Sequence, residues 1–201
     1  MFMLKGLFSP SRDKLIAQMG SGDNKIALKA VEKLRDNGWF RDGSLHGVDL
    51  RRANLQNAAL ARASMERAQL QFANLTKAYL GETNLRGADL QSAICRDANL
   101  RQVMLHEANL AEADFDGAYL AVASLNRANL TRANLQNANL WQVRFNGANL
   151  WGANLANALL HEPQFDMETM LPDGSHWSFD TDLTRFTQPN HVNFWSPNGI
   201  S

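Results

Sequence analysis

The 201-residue chain has one cysteine, Cys95, so no internal disulfide can hold it, and a reducing compartment suits it. Its 20 Lys and Arg balance 20 Asp and Glu. No bulk field therefore draws it to nucleic acid or to an anionic membrane. No apolar run approaches the ~20 residues that cross a bilayer. Met1 to Phe8 is too short and too interrupted for the apolar stretch of a secretory signal. These absences together describe a soluble cytoplasmic protein. The five prolines stand at positions 10, 163, 172, 189 and 197, so the long stretch between the first two is clear of the residue that most disrupts backbone ladders.

That stretch is filled by a repeat. Every fifth residue from Leu45 to Phe165 is bulky and apolar, making 25 pentads without insertion or deletion. The central residue is Leu in 20 of them, the exceptions being Met65, Cys95, Phe115, Phe145 and Phe165. Two positions earlier stands Ala in 19. An α-helix would spread leucines five apart around its whole circumference. A flat strand would send alternate pentads to opposite faces. A chain that turns a corner every five residues points each leucine at a common axis, so the period predicts an all-β solenoid shaped as a right-angled tube. The intervening polar positions help it turn: Asn and Asp bond locally to the backbone, and Asn tolerates left-handed conformations.

Eleven pentads read Ala-(Asp/Asn)-(Leu/Phe), from Ala53-Asn54-Leu55 to Ala153-Asn154-Leu155. The chain thereby resembles the pentapeptide repeat family over roughly residues 43–167. The resemblance implies a right-handed quadrilateral β-helix with four pentapeptides per coil and about six coils. Charges agree with that coil: opposite charges recur 20 residues apart at Arg62/Glu82, Glu66/Arg86, Lys77/Asp97, Arg96/Asp116, Glu107/Arg127 and Glu112/Arg132. Stacked neighbours of this kind are expected to pair across the ladder.

Three segments follow. Residues 1–42 hold an N-terminal α-helical cap, with a HEAT-like hairpin from Leu15 to Gly38. Pro10 and Ser11 open its first helix, Asp23 or Asn24 caps the second, and Ile26, Ala30 and Leu34 share an apolar face beside Ala27 and Val31. Residues 43–167 form the β-helix, whose ladder is expected to begin failing at Pro163. Residues 168–201 are an irregular, aromatic capping tail. Caps are expected because an open solenoid end exposes unpaired backbone and leucines.

The sequence offers no catalytic constellation. Cys95 takes a leucine position and should face inward, inert. His46 and His106 are three coils apart, and His161, His176 and His191 show no ligand spacing. No enzyme activity, cofactor or metal site is expected. The outward side chains are more informative: the side defined by Leu60, Leu80, Leu100, Leu120, Leu140 and Leu160 presents Tyr79, Tyr119, Ala121, Val122, Trp141 and Leu159 with few charges. Of these, Tyr79, Tyr119, Val122, Trp141 and Leu159 are the candidate partner surface.

Function is read as that of a non-catalytic rigid scaffold contacting an unidentified protein partner, as a monomer or as a homodimer through the C-terminal end. No nucleic acid and no membrane is expected as partner. The alternative drawn from the family is a DNA mimic acting on DNA gyrase. It is disfavoured because residues 45–166 carry 11 acidic and 11 basic side chains, whereas mimicry needs a dominant acidic surface. A further alternative is a ligand-binding protein or enzyme using the terminal segments.

Overall fold

The computed structural model describes residues 10–197; the Met1–Phe8 segment lies outside the described residues. Single-residue parallel bridges join positions 20 apart along the repeat, from Asp49–Gln69 to Arg144–Gln164. They fall into four columns, begun by Asp49, Asn54, Ala59 and Ser64. Each bridge is a short straight wall, and the residues flanking it show why the pentad closes. In Ala53-Asn54-Leu55, both Ala53 and Leu55 are fully buried while Asn54 lies partly exposed between them. Side chains alternate across an extended backbone, so the outer two of the triplet share the interior.

The corner that follows is a four-residue turn. The amide of Ala53 donates to the carbonyl of Leu50 at 3.0 Å, and the same bond recurs along the chain. The third turn residue has positive φ at every corner from Gly47 to Glu162, 19 of them not glycine. The left-handed residue is Arg52, Lys77 or Glu107 at many corners and Asn57, Asn137 or Asn157 at others, the residue type that the sequence reading expects to tolerate it; the Asn or Asp of the triplet is not among them. The triplet residue acts one step earlier: the side-chain oxygens of Asn74, Asp89 and Asn129 accept the amides two residues on, at 3.0–3.1 Å. A left-handed conformation costs a non-glycine residue about 1 kcal/mol or more. It persists because the ladder overdetermines it, with Arg52 N–H donating to Gln71 O and Ala53 O accepting from Asn74.

Departures from alanine and leucine inside the tube are accommodated locally. Thr83 replaces an alanine, and its buried hydroxyl donates to Leu60 O at 2.9 Å. Cys95 is fully buried, and the Ile94–Asp114 bridge sets it next to Phe115 in the same interior column.

Helix α1 (Arg12–Met19) is capped by Ser11, whose hydroxyl accepts from Lys14 N, and α2 (Asn24–Asp36) by Asp23, whose carboxylate accepts from Lys25 N and Ile26 N. The buried face of α2 is Ala27, Ala30, Val31 and Leu34. Ile26, expected on that face, is 46% exposed at its margin. The helices share one core with the repeat. Asn54 N donates to Ser21 O and Ser64 N to Phe40 O, so two amides of the first rung find acceptors in this segment.

At the other end pairing passes Pro163 and the boundary expected at 167: Asn149 bridges Met170, 21 residues on. The extra residue is absorbed by side chains. Asp166 Oδ1 accepts from Gly147 N at 2.8 Å, and Thr169 Oγ1 donates to Phe145 O at 3.0 Å. Leu171 is then buried as a further interior residue. A short helix, α3 (Thr184–Thr187), buries Phe186, and its Thr187 O accepts from Asn157 N.

Of the six charge pairs expected at spacing 20, only Arg62–Glu82 closes within 4.0 Å among the described residues, at 3.0 Å. Arg96 instead reaches Asp114, and Arg86 reaches Glu107 at 3.7 Å. Arg132 leaves Glu112 and lies 5.1 Å over the Trp151 ring. Long side chains on splayed corners meet diagonally, or stack on an aromatic face, as readily as they meet straight across.

Candidate interaction surface

The outward position of each triplet stands between two interior side chains, so its direction is fixed by the ladder. One bridge column runs Ala59, Tyr79, Asn99, Tyr119, Asn139 and Leu159. Tyr79 is 57% exposed, Tyr119 40% and Leu159 56%. Trp141, at the corner after Asn139, is 38% exposed; Asn139 Oδ1 accepts its amide at 3.1 Å. Val122 belongs to the same corner, its amide donating to Trp141 O at 2.8 Å, and is half-buried with φ 62°.

Four of the five candidate residues are thus well exposed on this side, and Val122 contributes an edge. Ala121, read from sequence as outward, is 1% exposed. The strip is interrupted by Asn99 and Asn139. Large apolar side chains are also exposed elsewhere on the tube, namely Phe72, Ile94, Met104 and Trp151.

Sequence reasoning missed what lies at the end of this side. Leu159 and Leu160 form one wall of a groove of about 580 Å³ whose other wall is the tail, including Leu183, Thr187 and Pro189. Only the Pro189 turn hints at it in the sequence, because the tail has no repeat to set its register. Beyond Leu159, Gln142 Nε2 donates to Glu162 Oε2 at 2.8 Å, closing the corner with a polar rim.

The reactive groups are committed elsewhere. Burial, with Asp114 adding to it, pushes the Cys95 thiol up, so the thiolate that a nucleophile needs is suppressed. His191 Nε2 lies 3.1 Å from Asp182 Oδ2, and its Nδ1 accepts the Asn193 amide at 3.1 Å. Both ring nitrogens are engaged within the tail. Among the described residues no three His, Cys, Asp or Glu stand close enough to hold a metal ion, and no helix is long and apolar enough to cross a membrane.

No curated protein sequence matches the chain. Among solved structures it is similar to a pentapeptide repeat protein of the Arabidopsis thaliana thylakoid lumen, at 28% identity over 47% of this chain and 66% of that one, with a TM-score of 0.46. It is similar to HetL, a pentapeptide repeat protein involved in heterocyst differentiation regulation in the cyanobacterium Nostoc sp. strain PCC 7120. That match has 32% identity over 64% of this chain and 68% of HetL, with a TM-score of 0.43. QnrB1, a plasmid-mediated fluoroquinolone resistance protein, is 17% identical over 61% of this chain and 84% of its own, with a TM-score of 0.34. The family model for pentapeptide repeats matches residues 44–81, 83–120 and 123–161 in 8 copies, more than half of the sequence, and the chain belongs to the pentapeptide repeat family.

Proposed function

We propose that this chain is a rigid, non-catalytic interaction module, a β-helix of about six coils closed by its N-terminal helices and its aromatic tail. A protein partner seats on the side carrying Tyr119, Trp141 and Leu159. The observation that carries this reading is the exposure of those three large side chains on one side of a laddered wall, beside the groove at Leu159. All three project from laddered backbone, so little backbone freedom is lost on association. Aromatic side chains of this kind supply most of the energy in protein interfaces.

A DNA-mimic reading draws less support. The local acidic cluster of Glu107, Glu112, Asp114 and Asp116 is largely answered by its surroundings: Arg96 pairs with Asp114, Arg86 with Glu107, and Asn137 Nδ2 donates to Asp116 Oδ1. Recovery of partners from host lysate by the tagged protein tests the proposal. Tyr119→Lys/Trp141→Lys is expected to fold normally and lose the specific partner. Undiminished recovery rejects this side as the interface.

A further inference from the structure

Trp151 stands two pentads, half a coil, after Trp141, so it occupies the diagonally opposite corner of the tube, away from the Tyr119–Trp141 side. It is 44% exposed, and the Arg132 guanidinium lies over its ring. Gly152 makes room for that reach, since a Cβ there would stand 3.0 Å from Arg132 Cγ. The tail also approaches the indole: a Cβ on Gly174 would stand 3.4 Å from Trp151 Cδ1. A second indole comes with the tail. Trp195 N donates to Arg185 O at 2.8 Å, and the Trp195 ring stands edge-on to Phe186 with 6.0 Å between centroids. Phe186 is buried in the core, so Trp195 is anchored through its backbone and its ring.

Trp151 and Trp195 line one cleft of about 500 Å³ together with Arg132, Asn134 and Asn154. Among the described residues lining it, Arg132 carries the one charge. Asn134 is fully engaged: its Nδ2 donates to Asp114 Oδ1 at 2.9 Å and its Oδ1 accepts Gln136 N at 3.2 Å. Two donors are left over. Asn154 Oδ1 accepts Ala156 N at 3.1 Å, but its Nδ2 has no partner among the described residues. Arg132 likewise makes no ion pair and no side-chain hydrogen bond among the described residues, and the Trp151 face holds its guanidinium. Stacking on a ring leaves the N–H edges of a guanidinium free to donate.

We propose that this cleft binds a small aromatic carboxylate, its anionic group on Arg132 and its flat apolar body against the two indoles. The guanidinium fork matches the two oxygens of a carboxylate and accepts them side by side. Asn154 Nδ2 offers a further donor on the same lining. The indoles reward a flat apolar ring, which a bare inorganic ion does not supply. One positive charge balances one carboxylate, whereas the second charge of a phosphate dianion would enter the cleft without a partner.

NMR titration of the isotope-labelled full chain with benzoate, benzamide and inorganic phosphate tests this. Benzoate should shift the indole N–H signals of Trp151 and Trp195 and leave that of Trp141 in place. Benzamide has the same shape without the charge and should bind on the order of 10-fold more weakly. Arg132→Gln should weaken benzoate binding by a similar factor, and Arg132→Lys by less, because the charge remains without the fork. Arg52→Gln should change nothing, although Arg52 makes the equivalent stack over Phe72 four coils away. Circular dichroism melting of Arg132→Gln should match the wild type, since the side chain is exposed. Unmoved Trp151 and Trp195 signals at millimolar benzoate, equal affinity for benzamide, or undiminished binding by Arg132→Gln overturns the proposal. So does displacement of benzoate by an equal concentration of phosphate, which would make the cleft a site for bare anions.

Discussion

The ring of Phe165 lies 5.4 Å from that of Phe145, tilted by 9°. The last aromatic of the pentad series therefore stacks on a fully interior one, and Trp177 continues the stack at 6.1 Å with Phe179 edge-on beyond it. Aromatic faces continue here beyond the last interior ring of the pentad series. Phe165→Ala should remove the middle of the stack and destabilise the protein by about 2–4 kcal/mol. A loss below about 0.5 kcal/mol in denaturant unfolding would mean that the tail does not close the core through this ring.

Val122 is a β-branched residue in a conformation that such residues avoid, with φ 62° at a corner. Its side chain is only half-buried, so little packing holds it there. Val122→Asn is expected to stabilise by about 1 kcal/mol, because Asn tolerates the left-handed region and Val does not. Chemical denaturation of the two proteins side by side measures it. Destabilisation by the same amount would show that the valine packs more than it strains.

Cys95 is buried beside Phe115, and its thiol is pushed up by that burial. A thiol reagent should leave the native protein untouched and label it only as it unfolds, so labelling rates should follow denaturant as unfolding rates do. Rapid stoichiometric labelling without denaturant would place the side chain at the surface.

Three tail carboxylates sit below the usual range. For Asp166 and Asp173 burial pushes upward but is outweighed. Hydrogen bonds from Gly147 N, Thr169 and Glu168 N lower Asp166; Ser175 and the Arg185 charge lower Asp173. The Thr184 hydroxyl and amide lower Asp182, with His191 adding to them. A folded-state pKa below the unfolded one contributes stability that is full above the ordinary carboxylate value and fades as pH falls through the folded one. Below about pH 4 the tail should loosen before the tube does. Hydrogen exchange should rise first in residues 166–195. Loss of protection in the repeats ahead of the tail would contradict this.

The repeat was legible because its signal is interior. Alanine and leucine at fixed offsets say where the backbone turns, and a single break of register would have exposed a leucine. The outward layer obeys no such constraint. Glu112 and Arg132 are spaced to pair, yet Arg132 prefers Trp151, which the charge pattern alone does not weigh. Ala121 looks outward by position and is buried. Pro163 reads as the place where the ladder begins to fail, and just past it the register slips to 21 residues, with Asp166 and Thr169 supplying side-chain bonds at the slip. The tail groove needed the path of residues 183–190, which no period fixes.

The coil of 20 residues is the claim on which every surface assignment rests. Asn109 bridges Asn129, and Asn129 Nδ2 donates to Asn109 Oδ1 at 3.1 Å; Ser124, on the neighbouring bridge column, is 15 residues from Asn109. Neighbouring strands about 4.8 Å apart lie within disulfide reach. Oxidation of Asn109→Cys/Asn129→Cys should close an intramolecular disulfide, detected by mass spectrometry of the digested monomer, while Asn109→Cys/Ser124→Cys should stay reduced. Cross-linking of the 15-residue pair, with the 20-residue pair left free, would contradict the four-sided coil.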